Sequence, residues 1–383
     1  FVSLLSPQLR AESKPLKVFL LVGQSNMQGH ARQHTLEDPG LSKADRELLH
    51  GTTEPRVWIS SIGSSKEEKF GRLSSAYGAG DQGEKFGPEL GFGRRIENRL
   101  SEPVLIIKTA WGGKSLHTDF RPPSAGPYEF NEKQLANFEK QGKNLAEIRA
   151  AKKQASGHYY RLSMQHIKMV LADIGRVYPD YDAKAGYELA GYVWFQGWND
   201  LVDGSQYPNR SDPGGYDEYS TLMAHFIRDV RKELQAPELP FVIGVLGVGG
   251  PTADYGPDQM RYQKVHQNFR DAMAAPAKLP EFESNVTCVL TEKYWDAELD
   301  QITRRDQKIR RMVDSEKLER QAKLKRLEEL RAQEFSAREL ERLDKGISNQ
   351  AYHYLGSSTI IGGIGKGFAD AVLSLGSPTE IKP

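Results

Sequence analysis

Short apolar runs recur along this chain and alternate with stretches whose apolar residues are spaced for one face of a helix. The runs fall at residues 18–22, 56–60, 104–108, 189–195, 241–246 and 286–290. They are continuous rather than alternating in hydrophobicity, as strands buried on both faces are. Helical patterns lie over 87–100, with Leu90, Ile96 and Leu100 on one face, and over 160–178, 215–234, 256–274 and 357–373. Strands alternating with helices predict an α/β fold with a mostly parallel central sheet covered on both faces.

Two regions depart from this alternation and are expected to be insertions in one domain spanning 17–383. Residues 114–158 are polar and carry no strand signal. Residues 298–346 are far more charged than the rest, and predict a helical arm. Glu316 and Arg320 stand at the i,i+4 spacing of an ion pair on a solvated helix. Leu318, Leu324, Leu327 and Leu330 mark a narrow apolar stripe with two readings. One is a coiled-coil seam making a homo-oligomer through 303–345; the other is a helical hairpin packed on itself or on the core.

Composition narrows the class. The 383 residues suffice for one large α/β domain with insertions. Charge is balanced, 52 basic against 51 acidic residues, which gives no support for nucleic acid as a partner. No apolar run is long enough to span a bilayer. The lone cysteine, Cys288, sits in an apolar strand pattern and reads as a small core residue. At the start, the apolar residues 1–5 and Ala11-Glu12-Ser13, a small-x-small cleavage pattern, favour the tail of a secretory signal and a secreted or periplasmic location. The alternative is an N-terminal extension over 1–16.

The chemistry collects after three strands. Gly23-Gln24-Ser25-Asn26 follows the first, Thr109-Ala110-Trp111-Gly112-Gly113 another, and Gln196-Gly197-Trp198-Asn199-Asp200 a third. In a parallel sheet these segments converge on the carboxyl edge, where ligands bind. His353 precedes the last helix. A serine nucleophile needs an imidazole to take its proton, and its tetrahedral intermediate needs preorganised donors. Backbone N–H groups at Ser25 and a glycine, the Asn199 amide, and a helix dipole after Ser25 would serve. Ser25 also reads as a helix N-cap, and Asn199 likewise. Trp111 and Trp198 read either as core residues or as platforms for a sugar's C–H face.

These blocks resemble the SGNH hydrolase superfamily, and most closely its sialate O-acetylesterase/acetylxylan esterase branch, carbohydrate esterase family 6. Residues 23–27 look like the block carrying the nucleophile, Phe86-Gly87-Pro88-Glu89 like an element that opens a helix, and Trp111-Gly112-Gly113 like the block with the oxyanion glycine. Gly197-Trp198-Asn199-Asp200 is similar to the block with the oxyanion asparagine, and His353 stands in the place of the catalytic histidine. The resemblance covers about residues 17–295 and 346–375. It implies a three-layer α/β/α, flavodoxin-like fold and a serine esterase that removes O-acetyl groups from an oligo- or polysaccharide. The implied catalytic set is Ser25, His353, Gly113, Asn199 and Asp200, and substrate binding is expected of Gln24, Trp111, Gln196 and Trp198.

No cofactor or metal is expected; Asp203 and Asp212 lie in loops whose spacing is not that of a calcium loop. This sequence departs from the usual pattern twice. Gln350 stands three residues before His353, where an aspartate is usual, and Trp198 stands where a glutamate is frequent. Asp200, Asp296, Glu292 or a main-chain carbonyl is left to orient the imidazole. Activity is expected to rise through an unperturbed histidine titration near roughly pH 6.5. Two rivals remain open: a non-catalytic carbohydrate-binding protein on an esterase fold, and a lipolytic or thioester hydrolase on the same scaffold.

Overall fold

The computed structural model describes residues 14–51, 55–63, 67–80 and 83–376; the expected signal remnant falls mostly outside them. The six apolar runs form strands β1 (Leu16–Gly23), β2 (Val57–Ile62), β4 (Val104–Ala110), β5 (Tyr187–Phe195), β6 (Phe241–Val245) and β7 (Val286–Leu290). All pair in parallel, in the order β2-β4-β1-β5-β6-β7. β3 (Lys69–Arg72) adds an antiparallel edge on β2. The apolar pattern missed β3, because an edge strand reading Lys69-Phe70-Gly71-Arg72 buries neither face and shows no apolar run.

Helices cover both faces. α1 (Pro88–Glu97) packs on the last helix, α8 (Ser358–Gly376), while α2 (His158–Ala172), α3 (Asp217–Glu233) and α4 (Gln263–Ala274) lie across the sheet from them. β1 and β4 are buried along nearly their whole lengths, which is why their sequences are continuous in hydrophobicity.

The charged region is helical but not one rod. α5 (Ala297–Ser315), α6 (Arg320–Glu334) and α7 (Ala337–Lys345) fold back on one another. Lys317, at φ 50°, turns the chain between α5 and α6, so Glu316 and Arg320 lie on either side of a break and Glu316 pairs with Arg326 instead. Leu327 and Leu330 pack against a small cluster of Ile302, Ile309, Val313 and Phe335, and Leu324 is exposed. The stripe is thus mostly spent inside the hairpin. Residues 114–158, without strand, carry two short helices, Glu132–Lys140 and Leu145–Ala155.

Candidate active site

Register brings the three blocks together. Gly23 pairs with Ala110 on one side and with Phe195 on the other, so β1, β4 and β5 end at one level. Gly23 must lack a side chain, because a Cβ there would stand 2.1 Å from the Phe195 carbonyl oxygen. The next residues form a single helical turn, Ser25–Gln28, ended by Gly29 at φ 94°. Ser25 is the first residue of that turn and caps nothing. One turn carries little macrodipole, so the helix-dipole contribution expected after Ser25 is small.

A buried ion pair holds the turn from below. Lys108, inside β4, donates to the Gln28 carbonyl at 2.8 Å, to the Tyr77 carbonyl at 2.9 Å and to Glu89 at 2.6 Å. Glu89 also accepts the Gly87 N–H at 2.7 Å. Burial pushes the Lys108 ammonium down, and Glu89 opposes that shift. Glu89 therefore does more than complement a helix dipole: it neutralises the lysine that fixes the Ser25–Gln28 turn.

Gly112 faces Ser25. A Cβ on it would lie 3.7 Å from the Ser25 Cβ, whereas Gly113, at φ 76°, has open space around it one residue further out. Asn199 is oriented by Gln24. With its amide set by its neighbours, Gln24 donates to Asn199 Oδ1 at 2.6 Å and to the Lys114 carbonyl at 3.0 Å, and accepts the Trp198 N–H at 2.9 Å. With Asn199 Oδ1 taken as an acceptor, its N–H bonds are left for another group. Gln24 is fully buried in this role. Gln196 is buried as well, donating to Asp200 and to the Lys114 carbonyl. The expectation that Gln24 and Gln196 touch substrate meets side chains already committed to protein partners.

Asp200 does not reach His353. Its carboxylate is fully buried and accepts the N–H groups of Leu116 and His117, the Gln196 amide and the Tyr207 hydroxyl. Burial raises it above the usual carboxylate range. The other two acids considered for orientation are also committed, Asp296 to Arg342 and Glu292 to Arg270. The group on the imidazole is Asn349, whose Oδ1 lies 2.9 Å from His353 Nδ1. The same oxygen accepts the Gln350 N–H at 2.8 Å, which identifies it as oxygen and not nitrogen. The imidazole proton must then sit on Nδ1, and Nε2 keeps its lone pair. No motif signals this: Asn349 is four residues before His353 and is neutral.

His353 rides on a strained turn. Tyr354, Leu355 and Gly356 follow it with φ of 53°, 59° and 57°, a left-handed run that two non-glycine residues adopt only when their surroundings hold them. Tyr354, buried, donates or accepts at Thr291 Oγ1 and accepts the Gly247 N–H, tying the turn to the ends of β6 and β7. The turn packs against the Ser25–Gln28 segment. Burial first, and then Lys85, lower the His353 pKa to about 4. The unperturbed titration expected from the sequence is thereby corrected.

The two tryptophans flank the site. Trp198 stands 5.6 Å from the Tyr352 ring, beside the histidine turn. Trp111 packs on Phe120 and Tyr159 and, with Gly112, Lys114 and His166, lines a cavity of about 720 Å³. A different hollow, lined by Lys17 and Glu188 among others, lies at the opposite edge of the sheet, where β1 and β5 begin. Among the described residues no group of three His, Cys, Asp or Glu is placed to hold a metal ion, and no helix is long and apolar enough to cross a membrane.

Residues 15–294 match the model of the SASA family, described as carbohydrate esterase, sialic acid-specific acetylesterase. The chain belongs to this family. It is a carboxylic ester hydrolase whose family implies an acetylated carbohydrate substrate. The SASA match stops short of His353, which the fold alone brings to the serine turn. A search of curated proteins gives no match. Similar solved structures include a protein from Arabidopsis thaliana, 17% identical over 72% of this chain and 86% of that one, with a TM-score of 0.39. Another is a carbohydrate acetylesterase from Xanthomonas citri, 16% identical over 71% of this chain and 49% of that one, with a TM-score of 0.41.

Proposed function

We propose that this SASA-family chain removes O-acetyl groups from a carbohydrate through an acetyl-enzyme on Ser25. The observation that carries the reading is the Asn349 oxygen, which puts the imidazole proton on Nδ1 and leaves His353 Nε2 basic. Ser25 Oγ attacks the acetyl carbonyl carbon as its proton passes to Nε2. The Asn199 amide and the N–H groups of Ser25 and the Gly112–Gly113 turn receive the oxyanion. The C–O bond to the sugar breaks, and the leaving oxygen takes the proton from His353. Water then gives a proton to the same nitrogen and attacks the acetyl-enzyme, releasing acetate and restoring Ser25. Trp111 and the cavity beside Gly112 offer the sugar an apolar wall.

The test is acetate release from O-acetylated sialic acid, acetylated xylan and a simple acetyl ester. Wild type is expected to release acetate, and Ser25→Ala to lose about 10⁴-fold or more in kcat. A folded Ser25→Ala that keeps its rate overturns the reading. The order of the substrates names the sugar class.

A further inference from the structure

We propose that His30 is a positioning residue of this esterase: its imidazole, stacked flat on that of His353, fixes the plane of the general base and keeps water from one of its faces. The proposal rests on His353 being that base. The two ring centroids are 3.9 Å apart and the planes differ by 4°. Among the described residues the His30 ring has no hydrogen-bond partner, so the stack is its main polar-ring contact.

The backbone around the stack is built to hold it. His30 follows Gly29, where a Cβ would meet the Gly87 backbone at 2.2 Å, and the chain then enters a short pairing of Ala31–Arg32 with Lys85–Phe86. Ser348 joins this segment to the histidine turn. Its hydroxyl accepts the Arg32 N–H at 3.0 Å, donates to the Gly356 carbonyl at 2.7 Å, and lies 3.3 Å from the His30 carbonyl. The segment leaving the nucleophile and the turn carrying the base are thus one bonded unit, and the rings face each other because both backbones are fixed.

The surroundings explain why the second ring is an imidazole held neutral. Lys85, from the short strand, acts on both rings, and Lys108, from β4, acts on His30. Tyr352 stands edge-on to His353 at 4.5 Å, and Asn349 holds Nδ1. The charges that act on the pair are positive, and protonating both stacked rings sets like charges in contact. Burial lowers His30 to about 3, so it is neutral wherever His353 works. Removing the ring admits water to the face of His353, relieving the burial that holds it down.

The test uses the full chain with His30→Ala and His30→Phe. It reads kcat, KM and the pH profile on a simple acetyl ester, and follows the His353 ring protons by NMR. His30→Ala is expected to lower kcat about tenfold at little change in KM, and to move the acid limb and the NMR titration of His353 up toward roughly 6.5. His30→Phe keeps a flat ring and is expected to restore the rate and the low titration. His30→Ala with wild-type rate and limb overturns the proposal, as does His30→Phe as impaired as His30→Ala. If His30→Ala does not fold, His30→Leu, which fills space without a flat face, tests the positioning alone: kcat is expected to fall while the titration stays low, and a wild-type kcat overturns the proposal. If His353→Ala stays active the base assignment fails; the NMR titration still reads the stack by itself.

Discussion

Asn349 supplies His353 with an acceptor for its Nδ1 proton but not with a negative charge. An aspartate in that position would do both, and would stabilise the imidazolium. The consequence is electrical. The base is neutral above about 4, so kcat/KM should hold its plateau well into acid, with its lower limb near that value. Asn349→Asp places a carboxylate on the ring and should raise the limb by about 1–3 pH units. The variant then loses rate at pH 5, where its base becomes protonated. A wild-type limb near roughly 6.5 would contradict the burial argument. Asn199→Ala removes one oxyanion donor and should lower kcat about 10²–10³-fold with KM little changed, as steady-state kinetics on a simple ester would read. Ser25, Asn199 and His353, the residues of the proposed mechanism, could be singled out in the sequence because each sits in a short motif after a strand or before a helix. Asn349 and His30 were not: Asn349 meets His353 only because of the turn's side-chain geometry, and His30 meets it from across the fold.

At the scale of elements, a lysine in the middle of a buried strand is the least expected feature of the sheet. Lys108 and Glu89 have side chains 1% and 0% exposed, and together they fix the Gln28 carbonyl at the end of the Ser25 turn. Lys108→Met strands Glu89 as a buried unpaired carboxylate and should destabilise the fold by about 3–5 kcal/mol in urea unfolding. Lys108→Met with Glu89→Gln should recover part of that loss, because neither partner is then left charged. If the single and double variants unfold together, the pair does not act as described. The parallel strands were readable from their apolar runs, and α8 from its spacing. The strained turn at 353–356 was not, because its left-handed residues are Tyr354 and Leu355, and neither is a turn signal.

Across the whole molecule, the arm is tied down by Arg342 on α7. Its guanidinium, 1% exposed, reaches Asp38 and Asp296 in the core. Burial opposes its charge, yet the two aspartates outweigh that and hold it protonated. With Leu327 and Leu330 packed inside the hairpin, Leu324→Glu should leave the sedimenting mass unchanged; a fall in mass would show that the arm joins two copies.

Acid should weaken the fold before it stops the chemistry. His30, His266 and His353 are lowered to about 3, 4 and 4, by burial in each case first. The unfolded chain takes up protons near roughly 6.5 that the fold refuses, so this stability is complete above that pH and is lost as pH falls toward the folded values. The urea midpoint should therefore drop between pH 7 and pH 5 while kcat/KM does not.

The sequence by itself determined the α/β alternation, the strands that end together, the serine at one of those ends and the family. Those properties follow from local periodicity and from residues adjacent in the chain. Only the tertiary structure decided which group holds His353, that Asp200 faces a different loop, that Gln24 serves Asn199, and that His30 lies flat on the base. All but the first join residues tens to hundreds of positions apart, and a contact made by chain crossing leaves no period in the sequence; the first is made within a left-handed turn that no turn residue announces.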